Sequence, residues 1–266
     1  MTVASRFRGP SASANGGYMC GRVAAYTTYR SQAAGPRWRS APRASSCVDG
    51  PVTVTLRQPP PLATPMTVET SAEGSVRVHQ GGTLIAEAEA APDGPGLSVP
   101  RSVTAAQARA AAGGSPYFRQ PVFPACFVCG MDRRPGDGLR IMPGPVADRA
   151  VWAAPWTPDT SVAYADRSVR PEIVWAALDC PSGIAASEAA GLGQDTAILL
   201  GQMTASVAVP PRPGDQCLVI AWPAGRDGRK LLAGSALLGP GGTVLATASA
   251  VWLTVPRPVP ALAAEG

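Results

Sequence analysis

Apolar and polar residues alternate in Val52-Thr53-Val54-Thr55-Leu56, stop at Pro59-Pro60-Pro61, and alternate again toward Val68 and Glu69. A period of two is the mark of a strand with one buried face, and the prolines break it into two strands. The same figure returns over residues 203–220: Met203-Thr204-Ala205-Ser206-Val207 runs into Pro210-Pro211-Arg212-Pro213-Gly214 and resumes at Cys217-Leu218-Val219-Ile220. Downstream, residues 74–90 read as strand, Gly81-Gly82 turn and strand, and residues 229–255 answer with a Gly239-Pro240-Gly241-Gly242 turn. Each half therefore ends in three or four antiparallel strands, the signature of an internal repeat.

Upstream of each strand set lies one helical segment, at 15–29 and at 171–190. Pro171 suits a helix start. Ile173, Val174, Ala176, Ala177, Leu178, Ile184 and Ala185 make the second helix apolar nearly all round, so it should be buried. Residues 92–124 are rich in Ala, Gly, Ser and Pro and read as a linker with one short helix at 103–112. An extra hairpin at 139–156 opens the second repeat, whereas the first has at most a short strand at Arg6-Phe7-Arg8. The class is α+β, a helix followed by strands, twice.

Three motifs fall within this repeat. Cys126-Phe127-Val128-Cys129-Gly130, followed by Gly136-Asp137-Gly138-Leu139, resembles the Cys-Phe-x-Cys-Gly…Gly-Leu opening of many hotdog thioesterases. Asn15-Gly16-Gly17 resembles the His-Gly-Gly turn at the start of their central helix, and Leu178-Asp179-Cys180-Pro181-Ser182-Gly183 resembles the stretch carrying their catalytic carboxylate. The layout is similar to the double-hotdog acyl-CoA thioesterases. That resemblance implies two tandem hotdog domains, each a long central helix wrapped by an antiparallel sheet, paired as a pseudo-dimer. Their limits are 1–91 and 126–262, joined by a linker at 92–125.

In the related homodimers each site joins the helix start of one subunit to the Asp of the other, about nine residues beyond the motif's first position. Nine residues beyond Asn15 stands Ala24, and nine before Asp179 stands Arg170, followed by Pro171 and Glu172. The resemblance thus implies one composite site, with Asn15, Gly16 and Gly17 from the first half and Asp179 from the second, and one degenerate site. Negative charge grows on a thioester carbonyl under attack, and N–H groups at a helix N-terminus stabilise it. Asp179 can activate water as a general base or attack directly. Asn15-Gly16-Gly17 also fits an ordinary capped helix start. Gln202, Thr204 and Ser182 are polar partners for the site, with Tyr18 and Trp175 as aromatic pocket residues; Ser182 equally suits a hydroxyl bonding back to its own helix. The activity implied is hydrolysis of an acyl-CoA or acyl-carrier-protein thioester, with CoA or phosphopantetheine as part of the substrate and no separate cofactor. The alternative keeps the fold without hydrolysis, binding an acyl or polyketide-like intermediate and steering a cyclisation or other tailoring step.

Composition narrows these readings. His79 is the only histidine and sits at the end of a strand pattern, so neither a Ser-His-Asp system nor a multi-histidine zinc site can be built elsewhere. The formal charge of +5 is carried by dispersed arginines beside a single lysine, Lys230, without the basic stripe of a nucleic-acid interface. Such a field suits an anionic substrate such as CoA. Six scattered cysteines (Cys20, Cys47, Cys126, Cys129, Cys180, Cys217) suit reduced thiols. Cys126-x-x-Cys129 is a redox pair or half a zinc site, but spacing completes no tetrahedral set, so no metal is expected. With no membrane-length apolar run and no apolar leader, the expectation is a cytoplasmic protein, compatible with a homodimer of double hotdogs.

Overall fold

The computed structural model describes residues 1–27, 50–101, 103–118, 122–193 and 195–257. Cys47, the expected end of the first helix at 28–29 and the chain beyond 257 lie outside the described residues. The elements in order are α1 (Gly16–Ala24), β1 (Val52–Leu56), β2 (Thr67–Thr70), β3 (Val76–Gln80), β4 (Thr83–Ala90), α2 (Ala105–Gly113), β5 (Gly144–Pro145), β6 (Trp152–Trp156), α3 (Pro171–Ala189), β7 (Thr196–Val207), β8 (Cys217–Asp227), β9 (Lys230–Leu238) and β10 (Val244–Pro256). Among the described residues no helix is long and apolar enough to cross a membrane.

The ten strands of the described residues form one antiparallel sheet in the order β2-β3-β4-β1-β7-β10-β9-β8-β6-β5. The two halves meet at its centre, where β1 pairs with β7 and sets Val54 opposite Met203 and Thr53 opposite Thr204. Each half covers with its neighbour an edge that would otherwise expose unpaired N–H and C=O groups. Alternation fixes the faces: Val52, Val54, Met203 and Ala205 are buried, while Thr53, Thr55, Gln202 and Thr204 turn to the other side.

α1 and α3 lie against each other on the inner face, and glycines set their separation. A Cβ at Gly21 would stand 2.5 Å from the Cα of Glu172, and one at Gly17 would stand 2.7 Å from the Trp175 carbonyl oxygen. In α3, Asp179 is followed two residues later by Pro181, which has no N–H to give the helix. Nearby carbonyls take hydroxyl donors: Ser182 Oγ donates to Asp179 O at 2.7 Å and Ser235 Oγ, from β9, to Leu178 O at 2.8 Å. Trp252 Nε1 in turn donates to Ser182 Oγ at 2.9 Å, and Gly183 leaves room for the indole, which a Cβ there would meet at 2.8 Å.

Two expectations change and one holds. Arg6-Phe7-Arg8 forms no strand but a single 3-10 turn at Ser5–Phe7, with an isolated bridge between Arg8 and Ala14; Phe7 stacks on Tyr18 at 3.9 Å between ring centroids instead of extending a sheet. The short helix expected at 103–112 forms as α2, whose Ala108 and Ala111 pack with Val103 on Val151, Ala153, Ile220 and Trp222 of the second half. His79, expected at the surface, is half-buried on β3 between Thr67 and Leu84.

Overpacking at the helix crossing should be costly. Gly21→Ala is expected to lower unfolding free energy by about 1–3 kcal/mol, measured by urea denaturation, whereas Gly113→Ala, where a Cβ meets nothing within 4 Å, should stay within about 0.5 kcal/mol or gain slightly.

Candidate functional site

At the N-terminus of α1 the Asn15 side chain works in two directions. Its Oδ1 accepts from Tyr18 N at 2.9 Å as an N-cap, and its Nδ2 donates to Asp179 Oδ2 at 2.7 Å. An amide has both an acceptor and donors; an Asp or Ser cap could not serve the helix and the carboxylate in this way without repulsion or loss of reach. Gly17 N donates to the same Asp179 oxygen at 2.9 Å. The close approach is possible because a Cβ at Gly17 would lie 2.4 Å from Asp179 Cβ. Gly17 therefore serves the approach of two helices. Gly16 clears Leu200 similarly, at 2.9 Å.

Asp179 is 1% exposed, and its second oxygen, Oδ1, is buried without a partner among the described residues. Burial raises the carboxyl from 3.8 to about 7; the Gly17 N–H and the Asn15 amide oppose that rise and the neighbouring Cys126 adds to it. In the first turn of α1, the Gly17 and Tyr18 N–H groups are taken, leaving the Gly16 N–H without a partner among the described residues.

A pocket of about 170 Å³ opens onto this point. Asn15, Gly16, Asp179, Cys126 and Cys180 form its polar end, and Leu56, Phe123, Ile198, Leu200, Trp252 and Leu253 its apolar wall. Phe123 and Ile198 also line a second cavity of about 380 Å³. Behind the carboxylate three sulfurs gather: Cys126 Sγ and Cys180 Sγ are 3.6 Å apart, and those of Cys126, Cys129 and Cys180 all lie within 4.8 Å of one another. Hydrogen bonds from the Cys129 and Cys180 thiols pull the Cys126 thiol well down, and the same coupling holds the other two up.

The architecture and this site can be set beside known proteins. No protein-family model and no curated protein sequence matches the chain. Solved structures do. The acyl-CoA thioesterase II TesB2 from Mycobacterium marinum is similar over 78% of this chain and 80% of its own, with 12% identity and a TM-score of 0.53. A thioesterase from Haemophilus influenzae covers 49% of this chain and 87% of its own at 11% identity, TM-score 0.42. A Streptococcus pneumoniae thioesterase protein solved with coenzyme A covers 41% and 80% at 7% identity, TM-score 0.36. The chain has the hotdog fold.

Within this hotdog the residues expected at the site divide. Asn15, Gly16, Gly17 and Asp179 come together. Gln202 and Thr204 do not: Gln202 Nε2 donates to Thr55 Oγ1 at 2.9 Å, and the Thr204 and Thr53 hydroxyls share a 2.7 Å hydrogen bond on the opposite face of the sheet. Two-residue alternation, with Met203 inward, forces this. Ser182 bonds back to its own helix. Tyr18 is buried between Phe7 and Phe127, and Trp175 packs on α1; neither lines the pocket. At the expected degenerate position Ala24 is buried, and Arg170 lies 4.0 Å from Glu172 and over the Phe7 ring. Cys126 and Cys180 in the pocket were missed, because 54 residues separate them and spacing relates only Cys126 to Cys129.

Because the folded protein holds the Asp179 proton more tightly than the unfolded chain, this contribution is full below the unfolded value of 3.8 and is lost as pH rises through about 7. In chelator-containing buffer, urea unfolding is expected to show stability falling by roughly 4 kcal/mol across that window. Asp179→Asn, which keeps an oxygen for both donors, should remove that slope.

Proposed function

We propose that the chain hydrolyses acyl thioesters, carried by CoA or an acyl carrier protein, at one composite site between two tandem hotdog units, residues 1–91 and 126–262, joined through 92–125. The observation that carries this reading is the Asp179 carboxylate, with one oxygen held by Asn15 and Gly17 and the other unpartnered beside an apolar pocket. Oδ1 takes a proton from water as the water oxygen attacks the carbonyl carbon. The Gly16 N–H and the positive end of α1 stabilise the oxyanion. Collapse expels the thiolate, which recovers the proton from Asp179. A carboxyl at about 7 is matched to proton transfer near neutral pH. Direct attack by Oδ1 through an anhydride uses the same geometry, and ¹⁸O from solvent appearing in Asp179 after one turnover distinguishes it.

The reaction needs no cofactor beyond the CoA or phosphopantetheine of the substrate. Leu56, Leu200 and Trp252 suit an acyl chain, and Phe123 with Ile198 stands between the pocket and the second cavity. A second reading, binding and steering an acyl or polyketide-like intermediate without hydrolysis, is favoured by one observation: Gln202 and Thr204 face away, so among the described residues no strand-borne polar side chain bonds Asp179.

Free-thiol release from a panel of acyl-CoAs separates the two. Hydrolysis is expected, with kcat down about 10²–10⁴-fold in Asp179→Asn; full activity in that variant rejects the site, and ligand-induced stabilisation without thiol release selects the second reading. Phe123→Ala should shift the preference toward longer acyl chains, read as the ratio of kcat/KM for long and short substrates.

A further inference from the structure

The sulfur cluster has the construction of a ligand set. Cys126 and Cys129 end a tight turn in which Gly130 N donates to Cys126 O at 2.9 Å. Only glycine closes it, since a Cβ at 130 would stand 2.3 Å from that carbonyl oxygen. The turn aims the Val128 and Cys129 N–H groups at the Cys126 sulfur. Cys180 reaches the pair from α3, 3.6 Å from Cys126, and its sulfur receives the Asn15 Nδ2 at 3.6 Å. Donors of this kind orient a thiolate and hold its charge in a buried setting. Around zinc, with metal–sulfur bonds of about 2.3 Å, tetrahedral sulfurs lie about 3.8 Å apart. Three sulfurs within 4.8 Å of one another need only small rotations to meet that spacing.

We propose that Cys126, Cys129 and Cys180 form a three-thiolate site for a soft divalent cation, zinc foremost, whose fourth position opens to the pocket. Thiolates select such ions over magnesium or calcium. The opening faces the pocket because Cys126 and Cys180 line it with Asp179, whereas Cys129 stands behind them. Three protein ligands with one open position is the arrangement that leaves zinc able to bind water or an incoming ligand. The site ties the turn at 126–130 to α3, and its existence does not depend on thioester hydrolysis.

The test is anaerobic titration of reduced, chelator-stripped full-length protein with Co²⁺. A thiolate-to-cobalt charge-transfer band should appear in the near ultraviolet, saturate at one equivalent per chain and vanish on adding Zn²⁺. Cys180→Ser should lose the band and Cys217→Ser should keep it. Wild-type protein alone supplies a second measurement that does not depend on a variant folding: Zn²⁺ should protect Cys126, Cys129 and Cys180 together from alkylation mapped by mass spectrometry. Absence of the band, its full retention in Cys180→Ser, protection that spares any of the three, or a Cys126–Cys180 disulfide forming while the reduced protein takes up no cobalt would each overturn the proposal. None of these readouts involves hydrolysis.

Discussion

One buried carboxylate oxygen, Asp179 Oδ2, receives the Gly17 N–H from the helix start of the first half and the Asn15 amide from the cap of the same helix. An ionised or hydrogen-bonding carboxyl without these donors would be costly to bury beneath the inner face of the sheet. The pair of donors is available only if the two helices touch, and that in turn requires Gly17 and Gly21 on α1. The contact therefore binds the halves of the chain together at their centre and leaves the other carboxylate oxygen free at the pocket.

The surroundings are arranged to keep that geometry. β1 against β7 continues the sheet across the two halves, so the helices lie on one surface instead of on two hinged ones. Phe7, Tyr18 and Phe127 form an aromatic cluster that fixes the N-terminal turn and the 126–130 turn to α1. On the far side, the Ser182 and Ser235 hydroxyls donate to the Asp179 and Leu178 carbonyls, tying α3 to its own next turn and to β9.

Sulfur beside a carboxylate gives the pocket two chemistries at one end. The apolar wall of Leu56, Leu200 and Trp252 would hold a hydrocarbon, while Asp179, the Gly16 N–H and the thiols of Cys126 and Cys180 crowd the polar end. Their proximity is electrostatically coupled: Cys126 is one reason the Asp179 carboxyl is raised.

Period-two alternation and proline punctuation were enough to mark the strand segments around 52–56, 67–69, 203–207 and 217–220 and the hairpins turning at Gly81-Gly82 and at 239–242, and the apolar circumference of 171–190 was enough to bury α3, because these patterns are local and each residue's face follows from its neighbours'. The pairing of Asn15 with Asp179 was also legible, through the motif each belongs to. Other features depended on contacts between distant segments. Gln202 and Thr204 looked like site residues until the β1–β7 register put them opposite Thr55 and Thr53 on the other face. Tyr18 became an aromatic support because Phe127 arrives beside it, and the surface that receives α2 was not legible in its own residues. Cys180 joined Cys126 and Cys129 only when α3 packed against the 126–130 turn, 54 residues away in the chain. The chain's own order determines which residues can turn inward; which of them meet is decided by the packing of segments far apart in that order.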